Sequence, residues 1–460
     1  MKQVLIGAAC LLAGLAVAGE SKPLPLNQRQ ARVSPAWMTQ GVMYQVWLRG
    51  FTPEGTLKAA TARLPKVAEV GATVLYLSPV CLQDDDMRKE HWAPRQRKTD
   101  NPRNPYRIKD YFEVDPEFGT QEDLRAFVKE AHRLGMRVLM DMVYLHCGPT
   151  AVIISQHPDF MKRDQDGKLK FAQWGFPSIE FANPALREYF WGNLEFWVKN
   201  FDVDGFRCDV ADGIPLDFWE TARERLEKIK PDVGILAEGM RKEDQLKAFD
   251  LDYGWGLDGA WSDAAKLRRQ WEKMAAERPR GGAKFIRFIE NHDIVQDEGT
   301  NRFDKAWGTA RVDAVLVALF TLDGVPFLYN GQEIADTSRQ SLYAKWPVDW
   351  TYGDTPTGKA RFALCRQLGA LRKTERALHQ GELQWLDNDQ PEAVLSYLRR
   401  AGNESVLVAV NLSGRPVTVR VRPPATLGKK LLACGVTNAE AKDDGLLLSL
   451  QGHGYFIGKR

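Results

Sequence analysis

Three acidic side chains each follow a short apolar run: Asp209 in Gly205-Phe-Arg-Cys-Asp209, Glu238 in Ile235-Leu-Ala-Glu238, and Asp293 in Phe288-Ile-Glu-Asn-His-Asp293. Two carboxyl groups converging on one acetal carbon can break a glycosidic bond, one as nucleophile and one as proton donor. Side chains alternate along a strand, so Arg207 and Asp209 share a face and Cys208 takes the other. A guanidinium beside Asp209 lowers its pKa and holds it ionised, as a nucleophile requires. The same two residues also make an ordinary buried structural pair. Glu238 ends Val233-Gly-Ile-Leu-Ala237, and semi-apolar surroundings raise a carboxyl toward the range of a general acid. Alone, it reads equally as a glutamate that opens a solvent loop. Asn291-His292-Asp293 and Asp141-Met-Val-Tyr-Leu-His146 add carboxylates and imidazoles at two more strand ends. Packing does not explain that polar density at four strand ends.

Such groups must be delivered by elements that end at one place. From residue 37 onward, strand and helix signals alternate, the pattern of a parallel sheet wrapped by helices. Candidate strands are Val42–Leu48, Thr73–Ser78, Arg137–Met142, Phe206–Asp209, Gly234–Glu238, Phe285–Glu290 and Val325–Tyr329, with a weaker eighth near Phe249–Tyr253. Helical patterns lie between them at Gln121–Leu134, Pro184–Lys199 and Pro215–Lys230. Thr120 and Asp123 approach a capping box, and Gly135 supplies the stop. The expected fold is α/β: a (β/α)8 TIM barrel, whose catalytic groups come from the C-terminal ends of several strands. The barrel spans 37–146 and 183–375, interrupted after strand three by a short insert over 147–182. Beyond about residue 375 the runs become short, alternating and separated by Gly, Pro and Asn, which predicts a C-terminal antiparallel β-sandwich over 376–460.

The 460 residues are 44% hydrophobic and 27% charged, enough for a barrel and an accessory domain. With 63 basic and 60 acidic residues, nothing in the charge balance points to nucleic acid or an anionic membrane. Residues 1–18 read as a secretory signal peptide ending in Ala16-Val17-Ala18, too short for an ordinary membrane span. Residues 19–36 form a polar lead-in. Five cysteines remain after cleavage, with no C-x-x-C pair, so buried free thiols are expected rather than a zinc site.

The quoted segments resemble the α-amylase family of retaining α-glucoside hydrolases and transferases, particularly compact bacterial α-amylases. Tyr44-Gln-Val-Trp47, Tyr106-Arg-Ile-Lys-Asp-Tyr-Phe112 and Gly324-Val-Pro-Phe-Leu-Tyr-Asn-Gly-Gln-Glu333 support the likeness, which runs from about residue 40 to the C-terminus. The resemblance implies Asp209 as nucleophile, Glu238 as acid/base and Asp293 as transition-state stabiliser. It implies Arg207 as the group that positions Asp209, and Asp141 as a supporting acid. His146 and His292 would hold hydroxyls of the sugar being cleaved, and Tyr106 would stack on its ring. Together with the leader, it predicts an exported, monomeric, endo-acting α-amylase that cleaves α-1,4 bonds in starch-like glucans or maltooligosaccharides without a cofactor.

Departures from the family pattern keep other readings open. Leu145 and Ser178 stand where calcium-binding members carry side-chain oxygens, so no metal is expected. Asp212-Gly213 replaces the Lys-His that holds the leaving-group side of the substrate in many α-amylases. A transglycosylase, or a cyclomaltodextrinase or neopullulanase-like enzyme, therefore remains an alternative. A non-catalytic glucan-binding protein would not need all three carboxylates. Chelators are expected to leave activity and melting temperature unchanged; a large chelator-induced loss would show the calcium argument wrong.

Overall fold

The structure, a computed structural model, describes residues 24–257, 259–282, 284–295, 302–422 and 428–459. The proposed signal peptide, residues 1–18, lies outside the described residues, as does the start of the lead-in. The rest of the lead-in straps across the barrel, with Ala31 N donating to Arg280 O at 2.9 Å and Arg32 N to Gln245 O at 3.0 Å.

Eight parallel strands close into a barrel: β1 (Met43–Val46), β2 (Val74–Leu77), β3 (Arg137–Met142), β4 (Gly205–Cys208), β5 (Gly234–Ala237), β6 (Leu251–Tyr253), β7 (Phe285–Arg287) and β8 (Val325–Tyr329). Each pairs with its sequence neighbours, and β1 closes on β8 through Met43↔Phe327. The period of two along each strand sorts the residues. Met43, Leu139, Leu236, Ile286 and Phe327 fill the interior, whereas Tyr44, Met140, Phe206, Ile235 and Phe285 face the surrounding helices. The same parity carries Asp141, Arg207 and Asp209 inward, and Glu238 with Leu236.

The wrapping helices include α1 (Leu57–Glu69), α2 (Gln121–Arg133), α3 (Pro184–Phe201), α4 (Leu216–Ile229), α5 (Ala264–Ala276), α6 (Thr309–Thr321) and α7 (Pro356–Thr374). α2 has the expected cap: Thr120 accepts from Asp123 N, and the Asp123 side chain accepts from Thr120 N. α3 begins with Asn183 capping Ala185 N and Leu186 N, with Pro184 at its first position. Its end is set by Asp202 in a left-handed conformation.

Most strands are shorter than the apolar runs suggest. β7 stops at Arg287, not Glu290, and Asp209 and Glu238 each lie one residue beyond their strands. The last residues of each run leave the ladder to turn toward the rim.

The C-terminal domain is an antiparallel sheet of β9 (Glu382–Trp385), β10 (Val394–Ala401), β11 (Glu404–Asn411), β12 (Val417–Val421), β13 (Lys429–Lys442) and β14 (Gly445–Lys459). Val406, Val408, Val410 and Tyr397 pack toward the barrel, while Leu407, Ala409, Val419, Leu446 and Phe456 build a separate core. The alternating runs Leu446–Leu450 and Tyr455–Ile457 lie in the two halves of β14. β13 escaped the sequence pattern because it is a largely exposed edge strand with no buried apolar face. All five cysteines among the described residues are unpaired; Cys81, Cys147, Cys208 and Cys365 are buried, but Cys434 is exposed, against the expectation of buried thiols.

β4, which carries Arg207, starts at a glycine that permits close approach. Gly205 has φ +153, and a Cβ there would lie 1.8 Å from Gly234 O on β5. Gly205→Ala is predicted to cost ~3 kcal/mol or more in urea unfolding. A loss below about 1 kcal/mol would show that the β4–β5 contact can relax.

Candidate active site

The inward-facing Arg207 is fully buried and organises the rim. Its Nη1 donates to Asp141 Oδ1 at 2.7 Å and to Asp209 Oδ1 at 2.9 Å. Its Nη2 stands 2.9 Å from Glu238 Oε2, an ion pair without hydrogen-bond alignment. One guanidinium therefore gathers carboxylates from β3, β4 and β5. Glu238 Oε2 also accepts from Val210 N at 2.8 Å. That amide is aimed by an unusual backbone: Val210 sits at φ 42, ψ 48, the left-handed region that β-branched residues avoid. The two turns are further joined by Glu238 N to Cys208 O and Ala211 N to Glu238 O, both 3.0 Å.

A second set of groups reaches the same place from β1, β7 and the loop before residue 106. Asp141 Oδ2 accepts from Tyr76 OH at 2.8 Å and Tyr106 OH at 2.9 Å. His292 Nδ1 lies 2.7 Å from Gln45 Nε2, while Gln45 Oε1 accepts from His292 N at 3.3 Å. With the amide pinned this way, Nδ1 is the acceptor and Nε2 carries the proton. Nε2 then faces Tyr106 OH at 2.6 Å and Asp293 Oδ2 at 3.3 Å. Trp47 stacks on His292 with ring centroids 4.9 Å apart, and Tyr106 stacks at 5.5 Å. Asp293 is set by Asn291, whose Oδ1 accepts from the backbone amides of Asp293 and Ile294 at 2.9 Å each. His146 donates from Nε2 to Tyr106 O at 2.9 Å, leaving buried Nδ1 as an acceptor without a partner.

Electrostatics departs from the sequence expectation at Asp209. Burial pushes its carboxyl well above the ordinary range, and the charges of Glu238 and Asp141 add to that shift. Arg207 opposes it, but three acids share this one cation. Burial, with the repulsion of Glu238 and Asp141, thus outweighs the lowering expected from Arg207. Burial likewise lifts Asp141 to about 6 and raises Asp293. The surroundings of Glu238 are polar rather than semi-apolar, since its contacts are Arg207 and an amide N–H. Burial pulls His146 down to about 4 and His292 to about 3, so both are neutral at pH 7.

Asp209, Glu238, Asp293, Tyr106, His146 and His292 line one cavity of about 330 Å³. Arg207 and Asp141 lie behind them, holding rather than lining. Trp174 and Phe176, from the 147–182 insert, stand 5.6 and 4.8 Å from the His146 ring, centroid to centroid. Ala93, Pro94, Arg95, Leu342 and Tyr343 complete the lining. Asn101 Nδ2 ties the first of those loops to the second by donating to Tyr343 O at 2.6 Å, and Arg49, just after β1, bridges them by donating from Nη1 to Arg103 O at 3.2 Å and Leu342 O at 3.4 Å. The sequence pattern did not single out Tyr76, Val210, Tyr343 or Tyr253, whose hydroxyl accepts from Arg207 Nε at 3.3 Å, and the run Arg95-Gln-Arg-Lys98 reads as solvated loop although Arg95 lines the cavity. Tyr76 and Tyr253 were traceable as phenols on inward positions of apolar strands; Val210 acts through backbone conformation, which residue type does not report.

The departures also have places. Asp212 accepts from Met240 N at 2.8 Å and Arg241 N at 3.3 Å, so it braces the turn after Glu238. Leu145 packs over Gly213, where a Cβ would meet it at 3.0 Å. Among the described residues, no group of three or more His, Cys, Asp or Glu side chains is arranged to hold a metal ion.

Residues 27–166 match the family model described as "Alpha amylase, catalytic domain", and residues 383–457 match "Maltogenic Amylase, C-terminal domain". A cyclomaltodextrinase from Geobacillus thermopakistaniensis is 28% identical over 440 residues, covering 88% of this chain and 70% of that protein. A noncanonic maltogenic α-amylase, AmyB, from Thermotoga neapolitana superposes with a TM-score of 0.79 at 26% identity, covering 91% of this chain and 98% of that one. The chain belongs to the α-amylase family. It is a retaining α-glucoside hydrolase of that family. Alpha-amylase 2 from Dictyoglomus thermophilum is 23% identical over 437 residues, covering 83% of this chain and 71% of that protein.

The depressed imidazoles give a signed pH prediction. Between pH 6.5 and about 4 the unfolded chain protonates His146 while the folded chain does not, so stability from this residue is full above pH 6.5 and falls with acidification. The unfolding free energy of wild type minus that of His146→Gln should therefore shrink as pH drops from 6.5 to 4. Asp141 works in the opposite direction in both proteins and cancels in the difference. A pH-independent difference would show that His146 is not held neutral.

Proposed function

We propose that the enzyme hydrolyses α-1,4-glucosidic bonds in short or cyclic maltooligosaccharides by double displacement. Asp209 is the nucleophile: its carboxylate attacks the anomeric carbon as the bond to the leaving oxygen breaks. Glu238 gives that oxygen its proton, and as the conjugate base then takes one from the water that releases the sugar from Asp209. The net change is one water added across one acetal. Asp293, with Asp209, meets the positive charge of the oxocarbenium-like transition state. Arg207 fixes the attacking oxygen, and Asp141 fixes Arg207. His292 Nε2–H and His146 Nδ1 are a donor and an acceptor for sugar hydroxyls, and Tyr106 offers its ring to the sugar.

The observation that carries the choice of substrate is the walled cavity. A space of about 330 Å³ beneath two tied loops suits a few sugar units better than a long polymer lying across an open cleft. The cyclomaltodextrinase and maltogenic amylase among the relatives, and the match of the C-terminal domain, support the same reading. It displaces starch-degrading endo-amylase, the first expectation, in favour of its same-family alternative. Export belongs to the proposal and rests on the leader-like residues 1–18.

Initial rates on cyclodextrins, maltoheptaose, soluble starch and pullulan test the substrate. Cyclodextrins and maltoheptaose should be consumed fastest, with little early loss of starch viscosity. A rapid viscosity drop with slow cyclodextrin opening would restore the endo-amylase reading, and products longer than maltoheptaose would reveal transfer. Asp209→Asn should lower turnover on the order of 10³-fold or more. Its melting temperature should be unchanged or raised, because a crowded charge is removed.

A further inference from the structure

Arg287, on β7, projects outward from the barrel, and its guanidinium is completely buried. It lies 3.8 Å above the Trp271 ring, which covers one face but accepts none of the in-plane N–H groups. Its Nε, Nη1 and Nη2 all lack a hydrogen-bond partner. An unpaired buried charge is strongly unfavourable, so this position calls for an occupant.

Two more buried guanidinia converge on the same turn, residues 321–324, just before β8. Arg372 donates to Gly324 O at 2.7 Å and to Phe320 O at 3.3 Å. Arg399, from β10 of the C-terminal sheet, donates to Thr321 O at 2.9 Å, while its Nε has no partner. Carbonyl oxygens satisfy N–H groups but do not neutralise their charge. Asp323 is the carboxylate that faces the cluster, 3.6 Å from Arg399, and it is shared with Lys284 at 3.2 Å. Three arginines and a lysine thus stand against one aspartate. Burial and mutual repulsion draw Arg287 and Arg372 down to about 9, a sign of missing negative charge. The seam is narrow: Gly324 has φ +95, and a Cβ there would come within 2.8 Å of Arg287 Nε.

We propose that the seam between the barrel wall and the C-terminal sheet binds a small monovalent inorganic anion of chloride size, seated against the free edges of Arg287 and Arg399. A water molecule would meet the N–H groups but leave the charge uncompensated. A spherical halide accepts N–H groups from any direction and takes less room than a tetrahedral oxyanion. The anion joins a barrel strand to the C-terminal sheet, so its role is to dock the two domains. It is independent of the substrate assignment, since none of these arginines lines the catalytic cavity.

The test is thermal unfolding of the full chain in sodium gluconate, chloride and bromide at equal ionic strength and pH 7. Wild type should show a saturable upward shift of a few degrees in either halide, and Arg287→Met should show none. An equal halide shift in both proteins, or no shift in wild type, would overturn the proposal. Anomalous scattering from a bromide-soaked wild-type crystal decides the matter even where Arg287→Met does not fold. A bromine peak within hydrogen-bond reach of Arg287 and Arg399 is expected, and water alone in the seam would refute it.

Discussion

One guanidinium holds the catalytic rim together. Arg207 bonds Asp141 and Asp209 through a single nitrogen and pairs with Glu238 through the other. Like-charged acids repel, and burial makes Asp141 and Asp209 costly to ionise. Without a buried cation between them they would move apart or take up protons. With it they stay within the span of one side chain, though burial still lifts Asp209 and Asp141 above their ordinary range. The pairing thus stores a tension suited to a carboxylate that must form and release a covalent bond.

The barrel is what makes that pairing possible. Closure of eight strands aligns Asp141 with Arg207 across β3 and β4, and Arg207 with Leu236 across β4 and β5. Gly205 lets β4 approach β5 at Gly234 O, and the strained Val210 aims an amide at Glu238. Around this rigid centre, the loops supply shape. The insert brings Trp174 and Phe176 to His146, while residues 93–95 and 342–343 complete the cavity lining. Chemistry therefore resides on strands, and the choice of glucan on loops, which agrees with the general division of labour in such barrels.

Much of this was legible in residue order. Alternation of apolar strands and capped helices located all eight barrel strands, including the weak one at Leu251–Tyr253, because each carries a buried apolar pattern. Asp209, Glu238 and Asp293 stood out as acids at the ends of such runs, and they line one cavity with Tyr106, His146 and His292. What stayed hidden depends on three-dimensional sharing. A pairwise rule assigned Arg207 to Asp209 alone and gave the wrong direction for its pKa, since it left out burial and the two acids delivered by other strands. Val210 contributes a backbone N–H, and β13 is an exposed edge with no face to bury. The cavity walls come from loops whose residues carry no periodic signal.

The central claim is that Asp209, held by Arg207, forms the covalent bond to the sugar. Mass spectrometry after reaction with a fluorinated α-glucosyl fluoride that slows release of the intermediate reads this directly. The account predicts one sugar per chain, on the peptide containing Asp209. Labelling of Glu238 or Asp293 instead, or complete turnover with no covalent adduct at any stage, would contradict it.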